Sequence, residues 1–183
     1  MICSEQVITA TEPWEGAAVY AYNTMLKVND TTFFMYYDVV AQNVPILRFT
    51  ALAISHDGIH FTKPNLGASW FNGSLANNIV WPRSDGRAGH PAYKYHEPGS
   101  TFIDTKPGTP AAERFKMVAS WAGGHGISVL FSQKIDRKPL ICHPWAGGVW
   151  LMSSPDGIHF TEMFDKPVVR TVTLLNLTLF NTF

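Results

Sequence analysis

Short apolar runs separated by polar breaks fill most of this chain, and almost every run has the length and the residue types of a strand. Residues 17–28 begin Ala-Ala-Val-Tyr-Ala-Tyr and close on Asn29-Asp30, a turn pair. Residues 33–40, which include Phe33-Phe34-Met35-Tyr36-Tyr37, and residues 49–55 predict a second and a third strand, and Ile59 to Thr62 starts a fourth. A turn-rich connection over residues 64–99 follows, broken by Asn77-Asn78-Ile79-Val80-Trp81. The pattern then resumes at residues 101–104, 115–121, 149–153 and 159–163. Residues 110–114 form the only weakly helical window, and with Pro110 at its head this reads as a turn within a loop. The expectation is an all-β protein.

The third-to-fourth connection occurs twice. Ser55-His56-Asp57-Gly58-Ile59-His60-Phe61-Thr62 returns as Ser154-Pro155-Asp156-Gly157-Ile158-His159-Phe160-Thr161, with one of eight positions changed. Gly58 and Gly157 supply the left-handed conformation of a tight turn, and the Asp57 and Asp156 carboxylates can accept from turn amides, so all four are assigned structural roles. A hairpin duplicated in this way marks a repeat architecture. Met117 stands 82 residues after Met35 and Ser154 stands 99 after Ser55, so the second unit carries 17 additional residues between its second and third strands. Twenty residues before each Met lies a glutamate, Glu15 in the first unit and Glu97 in the second. Both are expected just ahead of the innermost strand.

Composition narrows the function. Fourteen basic and fourteen acidic side chains cancel, leaving no electrostatic footprint for nucleic acid or an anionic membrane. A neutral ligand fits better. Cys3 and Cys142 are too few for a disulfide scaffold, and the redox compartment stays open. Met1-Ile2-Cys3-Ser4-Glu5-Gln6 has neither the basic start nor the apolar core of a secretory leader. Seven histidines invite a metal reading, but three of them belong to the duplicated hairpin and none has zinc-site spacing, so no metal and no cofactor is expected. A Ser-His-Asp hydrolase is set aside for want of a nucleophile elbow.

The order of motifs, Met35-Tyr36-Tyr37, then Ser55 to Gly67, then Asn72-Gly73-Ser74 and Asn77-Asn78-Ile79-Val80, then Phe102-Ile103-Asp104-Thr105 and Glu113-Arg114-Phe115-Lys116-Met117-Val118, resembles the five-bladed β-propeller proteins related to glycoside hydrolase families 32 and 43. That resemblance implies a partial five-bladed β-propeller: about two four-stranded antiparallel blades plus part of a third. The partial domain covers residues 1–170, with one blade at 12–63, a connection at 64–99 and a second blade at 100–163. The uncharged stretch 171–183 is a hydrophobic tail or the start of a third blade. The resemblance further implies cleavage of furanosidic or related bonds by two carboxylates, and the matching positions are Glu15 and Glu97, the latter within His96-Glu97-Pro98. Such chemistry needs one carboxyl kept protonated and one kept ionised. Trp14, beside Glu15, and Trp121, His125 and Trp145, in the stretch that holds the 17-residue excess, are candidates for sugar contacts, since flat indoles suit the C–H faces of sugar rings. The expected partner is a carbohydrate substrate or ligand. The resemblance also suggests secretion, without a leader to place the protein. Rival readings are a non-catalytic glycan-binding or scaffold propeller and a truncated gene product, and a chain with two blades is expected to be a fragment.

Overall fold

Residues 33–39 read Phe-Phe-Met-Tyr-Tyr-Asp-Val, too apolar on both faces for a strand with one side in water. In the computed structural model, which describes residues 6–16, 18–40, 48–82, 96–121 and 148–170, this stretch lies in the middle of a sheet with both faces covered. Strands β1 (Ala18–Asn29), β2 (Thr32–Val40) and β3 (Arg48–Ser55) pair antiparallel in that order. Two short strands, β4 (Phe61–Thr62) and β5 (Ile79–Trp81), share the outer edge of β3, one at each end.

The second sheet repeats the plan. Strands β6 (His96–Ile103), β7 (Phe115–Trp121) and β8 (Gly148–Ser154) are antiparallel, and β9 (Thr161–Glu162) and β10 (Val169–Arg170) share the edge of β8. The protein is all-β: among the described residues the only helical element is a single 3-10 turn, Ala111–Glu113, where the sequence predicts a turn. Each unit is a five-stranded sheet rather than a four-stranded one. The extra strand of the first unit, β5, comes from the stretch read as connection, and β6 starts at His96, several residues earlier than the expected 101.

Register confirms the repeat at single-residue precision. Phe33 pairs with Ser55 and Val39 with Phe49, and their counterparts Phe115 with Ser154 and Trp121 with Gly148. The 17 additional residues of the second unit therefore lie wholly between Trp121 and Gly148. The first hairpins also differ in length, with five residues between the paired Lys27 and Phe33 and eleven between Ile103 and Phe115. Insertions have entered at hairpin loops, and the strands have kept their pairing.

Alternation along β2 and β3 divides the core in two. Phe34, Tyr36 and Leu52 point one way, with Val80, to meet Phe115, Met117, Ala119, Met152 and Phe160 of the second sheet. The Phe34 and Phe115 rings stack at 6.2 Å between centroids, and Tyr36 meets Phe160 edge-on at 6.2 Å. Tyr37, Val39, Phe49, Ala51, Ala53 and Ile79 form the opposite cluster, where Ile8 and Trp14 of the N-terminal lead-in pack over them. Burial of large aromatic side chains on both faces supplies most of the driving force here.

Candidate functional site

The lead-in places Glu15 three residues ahead of β1, as the repeat arithmetic predicts, but inside the protein rather than at a cleft. Its side chain has no solvent exposure. Oε2 accepts from the Thr11 amide at 2.7 Å, the Glu12 amide at 2.9 Å and Lys63 Nζ at 2.6 Å, and Oε1 accepts from the Tyr37 hydroxyl at 2.6 Å. The tight turn 12–15, closed by the Glu15 amide on the Glu12 carbonyl at 3.0 Å, lets one carboxylate collect two amides of its own segment. Burial alone would raise the Glu15 pKa, but the bonds from Lys63, Tyr37 and the two amides outweigh it and hold the group below its ordinary 4.5. Glu15 is thus an enclosed, ionised carboxylate whose acceptor positions face protein donors.

The network continues outward from Tyr37. Asn78 Nδ2 donates to the Tyr37 hydroxyl at 2.6 Å and to the Leu52 carbonyl at 3.0 Å, and Asn78 Oδ1 accepts from the Trp14 indole at 2.8 Å. Lys63 Nζ also donates to the Thr9 carbonyl at 2.6 Å and the Thr11 hydroxyl at 3.1 Å. Burial, reinforced by the neighbouring Glu15, drives the Tyr37 phenol far above its ordinary value, so it remains a donor. Trp14 spends its indole N–H and much of its face inside this assembly, as one of the partly buried side chains packed on the second core cluster. Together these groups latch the lead-in onto the first sheet.

Glu97 stands elsewhere. It is the second residue of β6, not ahead of it, and its backbone pairs with Ser120. The corresponding pair in the first sheet is Tyr20 with Asp38, so Tyr20, 46% exposed, is the positional counterpart of Glu97. Counting back twenty residues from each Met missed this because it took the two first hairpins as equal in length. Trp121 ends β7, its backbone paired with His96 and Gly148. The side chains of Glu97 and Trp121, and all of His125 and Trp145, lie outside the described residues.

The duplicated turns are built alike. In the first, the Ser55 hydroxyl donates to Asp57 Oδ1 at 2.9 Å and accepts from the Gly58 amide at 2.9 Å, while Asp57 Oδ1 accepts from the Ile59 and His60 amides, each at 2.8 Å. The second reproduces this with Ser154 and Asp156, at 2.8 and 2.9 Å to Asp156 and the Gly157 amide, and 2.8 and 2.9 Å from the Ile158 and His159 amides. Each Asp also contacts the ring Nδ1 of its histidine, at 2.6 Å for His60 and 2.7 Å for His159. The His60 ring and the turn amides lower the Asp57 pKa; for Asp156, burial opposes the shift but the His159 and Ile158 donors prevail. The surroundings differ: the His56 ring of the first turn contacts the Thr31 carbonyl at 2.9 Å, where the second has Pro155. Tyr36 of the first sheet donates its hydroxyl to the Gly157 carbonyl at 2.8 Å, joining the second turn to the first sheet.

Several partners were not singled out in the sequence. Lys63 carries a signal: its counterpart in the second copy, after the same Phe-Thr, is Glu162, a reversal of charge within an otherwise repeated motif. Asp38, fully buried and paired with the Arg48 guanidinium, sits at the end of an apolar run where a lone acid calls for a cation nearby. Among the described residues no cluster of three or more His, Cys, Asp or Glu has metal-site geometry. Comparison with protein-family models, curated proteins and solved structures finds no match to this chain.

Proposed function

We propose that this chain is a β-propeller-type repeat module of a carbohydrate-active protein, and that it binds a furanoside-type glycan rather than cleaving it. One observation carries the choice of binding over cleavage. Glu15, half of the only carboxylate pair that the repeat suggested, is ionised and enclosed by Lys63, Tyr37 and two amides, which leaves it without access to a glycosidic oxygen or a water. The carbohydrate reading rests on the resemblance in motif order, on zero formal charge and on the indoles of Trp121 and Trp145. Two sheets of like register packed face to face are compatible with neighbouring propeller blades.

The test combines binding and turnover on the full chain. Calorimetric titration with a panel of furanose oligosaccharides is expected to give saturable binding that weakens at least about tenfold on Trp145→Ala, with no release of reducing sugar. Release that Glu97→Gln abolishes would replace the binding reading with a hydrolytic one built on Glu97 and a partner other than Glu15. Neither binding nor release from any furanoside would overturn the carbohydrate reading itself.

A further inference from the structure

Among the described residues, three glycines follow an asparagine or an aspartate, and all three pairs lie in tight turns: Asn72-Gly73, Asp57-Gly58 and Asp156-Gly157. A glycine in that place leaves its amide nitrogen unhindered, because no Cβ of its own obstructs approach to the preceding side-chain carbon. Only Asn72-Gly73 is open to that approach. Phe71 and Ser74 exchange backbone bonds at 2.8 and 2.9 Å, so Asn72 (φ 45°) and Gly73 (φ 87°) form the two-residue left-handed hairpin turn that Asn-Gly favours. Both are exposed, and nothing comes within 4 Å of where a Gly73 methyl would stand. No hydrogen bond among the described residues engages the Asn72 carboxamide, whereas those of Asn29, Asn77 and Asn78 are all bonded. Asn65 is exposed too, but it precedes Leu66, whose side chain hinders the same approach.

The duplicated turns protect the corresponding bond. The Ser55 and Ser154 hydroxyls accept the Gly58 and Gly157 amides, each at 2.9 Å, which ties up the proton that an attacking nitrogen must lose. Each Asp Oδ1 also accepts from its serine hydroxyl and two turn amides, which keeps the carboxylate ionised and without a leaving group. We infer that Asn72 is a self-modification site, at which the chain deamidates without an enzyme and thereby opens the Phe71–Ser74 turn. The Gly73 nitrogen gives up its proton and bonds to Asn72 Cγ, and the side-chain nitrogen leaves as ammonia, closing a five-membered imide. Water then opens the ring. Addition at Cγ gives aspartate, and addition at the main-chain carbonyl gives isoaspartate, whose backbone runs through the former side chain and is one carbon longer. A two-residue turn cannot absorb that carbon and keep both Phe71–Ser74 bonds. Phe71 packs edge-on against Phe49 at 5.2 Å, and the Ser74 carbonyl receives Asn77 Nδ2 at 3.4 Å, so the change reaches the segment that leads into β5.

Ageing the full chain at neutral pH, followed by peptide mapping in a mass spectrometer and an isoaspartyl methyltransferase assay, tests this. Conversion at Asn72 is expected to run at least about tenfold faster than at Asp57, Asp156 or any other described asparagine, the factor that one protecting hydrogen bond supplies. The product gains one negative charge on a chain of zero formal charge, so ion exchange separates it from the starting protein. In the separated product, the Phe71 and Ser74 amides are expected to exchange faster than before. Asn72→Gly keeps a turn of the same hand and should stay homogeneous there, while Ser55→Ala, checked for folding by its melt, should bring isoaspartate to Asp57. An Asn72 that keeps its amide, whether or not another site changes, would overturn the inference, as would a product whose Phe71 and Ser74 amides exchange as slowly as in fresh protein. A folded Ser55→Ala protein with Asp57 intact would overturn the account of protection.

Discussion

Glu15→Gln separates a structural carboxylate from a catalytic one. The substitution keeps the shape but removes the charge facing Lys63, and it turns an amide N–H₂ toward groups of which three are donors to Oε2 and one to Oε1. Breaking a buried ion pair by removing one partner costs ~3–5 kcal/mol. The lower end applies here, because Lys63 keeps the Thr9 carbonyl at 2.6 Å and retains 11% of its side-chain exposure. A loss of ~3 kcal/mol in a chain of this size corresponds to a fall of about 6–12 °C in thermal midpoint. Circular dichroism melts of the wild type, Glu15→Gln, Lys63→Met and the double variant measure it, and the double variant should lose less than the two single losses together by ~2 kcal/mol. The pH dependence follows from the sign of the shift. The folded Glu15 pKa lies below the unfolded value of 4.5, so its contribution is complete above that value and is lost as pH falls through the folded pKa. The gap between wild type and Glu15→Gln should therefore be constant near neutrality and close in acid. A glutamate held ready in a catalytic cleft behaves oppositely, since neutralising it leaves stability unchanged or raises it. A Glu15→Gln protein melting within ~1 °C of the wild type would refute the enclosed-carboxylate account.

The two turn glycines should differ. A methyl at Gly157 (φ 77°) would stand 2.6 Å from the Tyr36 hydroxyl and 3.0 Å from the Phe115 ring, whereas at Gly58 (φ 78°) the closest atom is a Phe33 ring carbon at 3.6 Å. Gly58→Ala is expected to cost the ~1–2 kcal/mol of left-handed backbone alone and Gly157→Ala clearly more; equal losses in urea titrations would contradict the turn packing. Tyr36→Phe removes the donor to the Gly157 carbonyl and should cost ~1–2 kcal/mol, with faster amide exchange at Ile158 and His159; unchanged exchange would remove Tyr36 as the tie between the sheets.

Strand positions were legible because the apolar runs are short and bounded by turn residues: the second strand of the second unit, residues 115–121, matches β7 residue for residue. The fourth strands were read too long. Five residues after Ser55 and six after Ser154 form the turns, where the Asp side chain instead of a partner strand takes two amides, and pairing resumes only at Phe61 and Thr161. The composite outer edge was illegible, since nothing local in Asn77-Asn78-Ile79-Val80-Trp81 says that it returns to β3. The site was the hardest part. A glutamate next to a tryptophan reads the same whether the pair faces solvent or closes a latch, and only the convergence of Lys63, Tyr37 and Asn78, from three separate parts of the chain, distinguishes the two.

The divided edge of β3 has a consequence for how this protein meets others. Phe61–Thr62 pair with its Ile54–Ser55 end and Ile79–Trp81 with its Thr50–Ala51 end, leaving Leu52 and Ala53 between them. There Asn78 substitutes for a strand: its carbonyl accepts from the Leu52 amide at 2.9 Å while its side-chain amide donates to the Leu52 carbonyl at 3.0 Å. The central backbone groups of that edge are therefore occupied, by two short segments and one asparagine, and no continuous ladder is offered to an incoming strand. Sheet extension and amyloid-like growth are closed off at this border, so whatever approaches the sheet from the β3 side meets side chains and capped backbone groups and not a row of free ones.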